Sequence, residues 1–150
     1  SSFAVNLHKW VDIMESYESG TYSYHATMPT DALAKFRNVL AEIGAYGFDQ
    51  AKARQQEMGD RVRALLAERN IHSVAAAGFE APGVVVSYTD TADTADKFAA
   101  TGLQVSVGVP LMCDEPESFQ TFRLGLFGLD KIQNIDRTVA TLVAALDQVL

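Results

Sequence analysis

Phe122-Arg123-Leu124-Gly125-Leu126-Phe127-Gly128 sets a single arginine inside an apolar run that otherwise reads as a buried strand. Strand alternation sends Phe122, Leu124 and Leu126 to one face, and Arg123 and Phe127 to the other. An arginine does not lose its charge, so a sheltered one requires an anionic partner. Two readings follow. One is a structural ion pair within the domain. The other is a fork open to the carboxylate of a small molecule, which a guanidinium matches bidentately.

On the C-terminal side, Gly128-Leu129-Asp130 leads to Asn134-Ile135-Asp136-Arg137 and a long amphipathic run. Asn134 is the expected cap of this last helix. Its stripe is Ile135, Val139, Leu142, Leu146 and Val149 or Leu150. On the N-terminal side lies a loop, 108–118, with two prolines and three acids (Asp114, Glu115, Glu117). Before it, 103–107 reads as a strand, and 90–100 as a short polar helix anchored by Phe98. Val84–Tyr88, introduced by Pro82-Gly83, is the best strand by β-branched content. Residues 71–77 form a weaker, alanine-rich strand.

Two helices are expected upstream. Pro29-Thr30-Asp31 opens the first, with Thr30 or Asp31 as cap and Leu33, Phe36, Leu40 and Ile43 as its stripe; Gly44 and Gly47 punctuate it. The second covers about 48–69, with Phe48, Ala51, Met58, Val62, Leu65 and Leu66 inward and Gly59 weakening it locally. Residues 1–29 hold a short helix around 7–14 and then a Tyr- and Ser-rich stretch. The division is therefore a strap (1–29), linking helices (30–70) and a small α/β domain (71–150). The expected fold is a two-layer α/β sandwich with helices on one face of a small sheet.

A chain of 150 residues with 48% hydrophobic content can bury one domain's core. A net charge of −7 argues against a nucleic-acid partner, whose phosphates demand a basic face. No apolar run has the length of a membrane span, and the first residues are not a secretory signal, so no membrane partner is expected. Lys52, Arg54, Arg61, Arg63 and Arg69 are interleaved with Asp49, Glu57, Asp60 and Glu68 and read as a solvated helix face. The lone Cys113 excludes an intrachain disulfide and fits a reducing, cytoplasmic setting. The acids after it disfavour a thiolate, so an inert cysteine is the simpler reading. No metal site is expected.

The order Phe-Arg-Leu-Gly-Leu-Phe-Gly, a short polar link, Asn-Ile-Asp-Arg and a terminal helix resembles the C-terminal end of class V pyridoxal-phosphate (PLP) aminotransferases. The likeness is greatest to the alanine-glyoxylate/serine-pyruvate branch. A second matching motif is Tyr24-His25-Ala26-Thr27-Met28-Pro29. The resemblance covers essentially the whole chain, as the C-terminal part of a longer enzyme. It implies the C-terminal domain of fold-type I PLP enzymes, with a mostly antiparallel sheet. It implies that Arg123 binds the substrate α-carboxylate, and that Tyr24 and Thr27 reach the PLP phosphate of the neighbouring subunit in a homodimer. His25 between them reads as structural.

PLP chemistry needs a lysine that forms a Schiff base. Lys9, Lys35, Lys52, Lys97 and Lys131 all read as surface lysines, and the family's lysine lies upstream of the segment that Ser1 begins. The resemblance thus implies no catalytic residue in this chain, and a PLP-dependent transaminase only as the full-length protein. The substrates implied are alanine or serine as donor and glyoxylate or pyruvate as acceptor. Val107-Gly108-Val109-Pro110-Leu111-Met112 departs from the Gly-Gly loop and basic residue of many members, and the acids that follow disfavour a second substrate carboxylate.

Two rival readings stand beside this one. A cysteine desulfurase or lyase of the same superfamily would use Cys113, ten residues before Arg123, as nucleophile. A non-catalytic ligand-binding or dimerisation module would hold its pocket wholly within 71–150. With the large domain absent, Phe3, Leu7, Trp10 and Ile13 are expected to seek cover, and Tyr24 and Thr27 to be exposed.

Overall fold

The computed structural model describes residues 6–25 and 29–149. It divides into two compact units between Glu42 and Ile43.

The first unit holds helix α1 (Leu7–Glu18), capped by the Asn6 side chain, which accepts from the Lys9 N–H at 3.3 Å. α1 runs four residues past the expected end at Met14, because no breaker interrupts it before Gly20, where φ is +81°. The Ser19 and Thr21 hydroxyls both donate to the Ser16 carbonyl there. Ile13 is buried, while Leu7, Val11, Met14 and Tyr17 are exposed. Trp10 meets His25 edge-on, with ring centroids 5.2 Å apart. Phe3 and Thr27 lie outside the described residues. Helix α2 (Thr30–Tyr46) carries the expected stripe, yet Leu33, Phe36 and Leu40 are exposed and no residue of α2 is buried.

The second unit contains α3 (Phe48–Ala67), β1 (Val84–Tyr88), α4 (Thr94–Ala100), β2 (Ser106–Val107), β3 (Thr121–Gly125), α5 (Leu129–Ile132) and α6 (Ile135–Val149). The three strands form an antiparallel sheet in the order β1-β3-β2. Val85, Ser87, Phe122 and Leu124 share one face and are buried. Val85, Phe122 and Leu124 join Met58, Val62 and Leu66 of α3, Phe98 of α4, and Ile135, Leu142 and Leu146 of α6 in one core. α3, which falls in the stretch expected to link, is thus a core element. The opposite sheet face carries Val84, Val86, Tyr88 and Arg123, none of them buried. This is the expected α/β two-layer arrangement with an antiparallel sheet.

Several boundaries differ from expectation. Residues 71–77 form no strand. They meet β1 through a single bridge, Ser73 to Ser87, with flanking bonds Val74 N–H to Val86 O (2.9 Å) and Tyr88 N–H to His72 O (3.0 Å). The run Ala75-Ala76-Ala77-Gly78 offers no branched side chain to hold a pleated edge. β2 is two residues long instead of five; Leu103 and Val105 pack on the core without pairing in the sheet. β3 ends at Gly125, although Leu126 still donates to Gly83 O at 2.9 Å. α4 begins only at Thr94, because Thr89, Thr91 and Thr94 bond one another in the preceding turn. α6 begins as expected, with the Asn134 side chain accepting from the Arg137 N–H at 3.0 Å.

α3 corrects two expectations and gives a third its reason. Phe48 is exposed at 61% instead of inward. Gly59, whatever its local propensity cost, is buried in an unbroken helix, and a Cβ there would fall 2.8 Å from the Pro82 carbonyl oxygen. The basic residues are not merely a solvated face. Arg61 pairs with Asp136 at 2.7 Å and Arg69 with Asp147 at 3.0 Å, tying α3 to α6. Arg54 Nε donates to Ile132 O at 3.2 Å, and Arg63 donates to Ala81 O and Val84 O. The helical pair Glu57–Arg61 does form, at 3.7 Å.

Candidate functional site

Arg123 sits in the middle of the central strand. Val86 of β1 and Ser106 of β2 are its partners in register. Because β3 alternates, burying Phe122 and Leu124 puts Arg123 on the open face. Its Nε donates to the Val107 carbonyl at 3.0 Å, which fixes the side chain along the sheet towards β2. It makes no ion pair with a described residue. Its Nη edge, the part of the fork that grips a carboxylate, makes no hydrogen bond with one either. Neither Asp114 nor Glu117 pairs with it.

Beyond Val107 the loop leaves β2 through Gly108, whose N–H bonds the Thr121 carbonyl at 2.6 Å. The Glu115 carboxylate then turns back into its own loop. It accepts from the backbone N–H groups of Cys113 (2.8 Å), Met112 (3.0 Å) and Leu111 (2.6 Å). Successive amides converging on one anion form a nest, and Met112 and Asp114 take positive φ, +59° and +58°, to close it. The Cys113 N–H first, with the amides of Glu115 itself and Met112, holds the Glu115 carboxyl well below its ordinary value of 4.5, at about 2. In sequence, Asp114, Glu115 and Glu117 are equivalent loop acids. The fold separates them, and no local motif announces that Glu115 is the one that folds back. Cys113 is exposed, its thiol donating to Leu111 O at 3.3 Å.

This loop, the Thr89–Thr94 turn and the start of β3 line an open pocket of about 620 Å³. Its walls include Thr94, Val107, Asp114, Glu117, Phe119 and Thr121. Arg123 is not among them, but its carbonyl partner Val107 is.

The other predicted residues fall as follows. Tyr24, in the first unit, is 76% exposed; Thr27 lies outside the described residues. Lys97 pairs with Asp93 at 3.1 Å, which with Thr91 draws the Asp93 carboxyl below its ordinary value. Lys9 lies 3.9 Å from Asp12 and Lys131 3.7 Å from Asp130, while Lys35 and Lys52 are exposed. Among the described residues no three His, Cys, Asp or Glu are placed to hold a metal, and no helix is long and apolar enough to cross a membrane.

Fold and site together define a small α/β domain that offers one arginine on the open face of an antiparallel sheet. A crystal structure of alanine–glyoxylate aminotransferase from Nostoc sp. has this fold, with a TM-score of 0.73 at 19% sequence identity. The match covers 93% of this chain and 36% of that one, so the chain spans about a third of that enzyme's length. At this identity the likeness is one of fold. No family model matches the chain, and no curated protein matches it.

Proposed function

We propose that this chain is the C-terminal part of a PLP-dependent class V aminotransferase. The full enzyme moves an amino group from alanine or serine to glyoxylate or pyruvate. The observation that carries the reading is Arg123, held through its Nε by Val107 on the sheet face opposite the core, in a fold shared with an alanine–glyoxylate aminotransferase. In this reading Arg123 receives the α-carboxylate of the amino and keto acids. A bidentate grip there fixes the reacting carbon's orientation, which is worth more than the same charge on a flexible stem.

The residues present do not make a cofactor site by themselves. None of the lysines is buried, and three of them stand beside carboxylates of their own elements. PLP, when bound, supplies the electron sink for amino transfer. In this reading the lysine that joins it belongs to a part of the enzyme outside this chain, which alone is inactive. Tyr24 and Thr27 then offer hydroxyls to the cofactor phosphate of a neighbouring subunit, in a cytoplasmic homodimer. The exposed Tyr24 supports this part of the reading. So do the uncovered α2 residues Leu33, Phe36 and Leu40, which a larger assembly would cover. The acids Asp114 and Glu117 beside β2 favour monocarboxylic substrates over aspartate or glutamate.

The test is transamination of glyoxylate and pyruvate by the full-length protein, with alanine and serine as donors. Arg123→Lys keeps the charge and loses the fork, and should lower kcat/KM by about 1–3 kcal/mol, roughly one to two orders of magnitude. Unchanged kinetics in that variant, or no transamination by the wild type, would refute the reading. The ligand-binding-module reading has one observation in its favour: the cavity beside β2 is formed wholly within residues 89–122.

A further inference from the structure

We propose that a cleft on the helix side of the sheet binds a short aliphatic carboxylic acid, its chain in the cleft and its carboxylate on Arg137. The cleft is open to solvent, about 270 Å³ in volume, and lies where the sheet comes apart. The register of β2 on β3 stops at Ser106, opposite Arg123. Carried on, it would set Val105 opposite Leu124 and Gln104 opposite Gly125, and neither pair forms. The Leu103 N–H donates instead to Phe98 O at 3.2 Å, at the end of α4. Residues 103–105 therefore stand off the end of β3 and leave an opening that reaches the core.

The lining is largely apolar. Val62, Leu124, Leu126 and Leu142 are buried residues of the core side, and the half-buried Leu103 and Val105 complete it. The Thr138 and Thr141 hydroxyls at the cleft already donate to backbone carbonyls, Lys131 O at 3.0 Å and Arg137 O at 2.9 Å.

Arg137 is the independent second observation. Its Nη2 donates to Asp130 O at 2.8 Å, which holds the guanidinium at the cleft, yet it has no ion pair with a described residue. Arg54, Arg61 and Arg69 of the same unit each have a carboxylate. Lys131 adds a second cation there, 3.7 Å from the one carboxylate of the lining, Asp130. The charge at the cleft is thus positive by one.

A monocarboxylate with an aliphatic chain meets both features. Its head gives Arg137 the counter-charge it lacks, and its chain covers leucine and valine side chains. An alkylamine would meet two cations and one acid. A dicarboxylate would have to bring its second charge against the apolar lining. The inference does not rest on the aminotransferase reading, because the cleft is on the core side of the sheet and Arg123 is on the other face.

Hexanoate is the probe, titrated into the full ¹⁵N-labelled chain and followed by amide chemical shifts. Saturable shifts centred on Leu103, Gly125 and Thr141 are expected. Butanoate should bind about tenfold more weakly, since each buried methylene is worth about fourfold in affinity. Hexylamine should produce no saturable shift. Arg137→Gln should weaken hexanoate by about tenfold or more, the loss of a charge-assisted hydrogen bond. Its backbone N–H still meets the Asn134 cap, so α6 keeps its start. Thr141→Glu, at an exposed position of the same helix, keeps Arg137 and gives it a carboxylate four residues on; it should weaken hexanoate as well. That second variant keeps the test decisive if Arg137→Gln loosens α5. No saturable shift in the wild type at millimolar hexanoate would overturn the proposal. So would wild-type affinity in both variants, butanoate binding as tightly as hexanoate, or hexylamine binding in its place.

Discussion

Replacing Gly59 by alanine sets two opposed effects against each other. Alanine is the better helix former by about 1 kcal/mol, so the change should stabilise α3 if only local propensity mattered. The tertiary structure opposes it. A Cβ at residue 59 would lie 2.8 Å from the Pro82 carbonyl oxygen and 3.0 Å from Pro82 Cα, which are backbone atoms. Relief requires the 81–84 segment to move away from α3. That segment is held by Gln55 Nε2 on Pro82 O (2.9 Å) and by Arg63 on Ala81 O (2.7 Å) and Val84 O (3.2 Å). It also leads directly into β1, whose Val85 is fully buried. Overpacking of this kind costs about 1–3 kcal/mol, and a strained or lost Gln55 bond about 1 more. Set against the propensity gain, the expected result is a net loss of about 1–3 kcal/mol. Urea unfolding of the whole chain followed by circular dichroism reads this directly as a lower midpoint at unchanged slope. Ala53→Gly, at an exposed position on the same helix, is the control and should cost about 1 kcal/mol by propensity alone. A Gly59→Ala protein as stable as the wild type, or more so, would refute the close approach of α3 and Pro82.

Phe98→Ala should destabilise the second unit by about 3–5 kcal/mol, because the ring is 1% exposed and stacks on Phe122 at 5.7 Å; a loss below 1 kcal/mol in urea unfolding would contradict the core assignment. Asn134→Ala removes the side-chain oxygen that caps α6 and should cost about 1 kcal/mol, while Asn134→Ser should recover most of it. The Glu115 carboxyl titrates lower in the folded loop than in the unfolded chain. Its contribution is therefore present above the ordinary value of 4.5 and is lost as pH falls through about 2. The amide shifts of Leu111, Met112 and Cys113 should hold steady from neutral pH down to about 4 and move only below it, and Glu115→Gln should abolish that low-pH movement.

Periodicity alone located β1, the arginine strand, α3 and α6, and it assigned Phe122 and Leu124 to the core face and Arg123 to the other. Those features are written in local spacing, because side chains alternate in a strand and recur every 3.6 residues in a helix whatever the neighbours do. The Asn134 cap was legible for the same reason: its bond spans three residues. The rest depends on partners far apart in the chain. Gly59 looks like a flaw in α3 until Pro82, 23 residues on, is seen against it. The arginines of α3 look like a solvated face until Asp136 and Asp147 arrive from α6. Residues 71–77 carry a strand-like start, but only one bridge to Ser87 forms, since pairing is settled by the neighbouring strand and not by the segment. Arg123 was singled out by its apolar surroundings. That its Nε rests on Val107, that Glu115 folds into its own loop, and that Thr121 is buried without a partner were decided only in three dimensions, because hydrogen bonds and burial are properties of the packed chain.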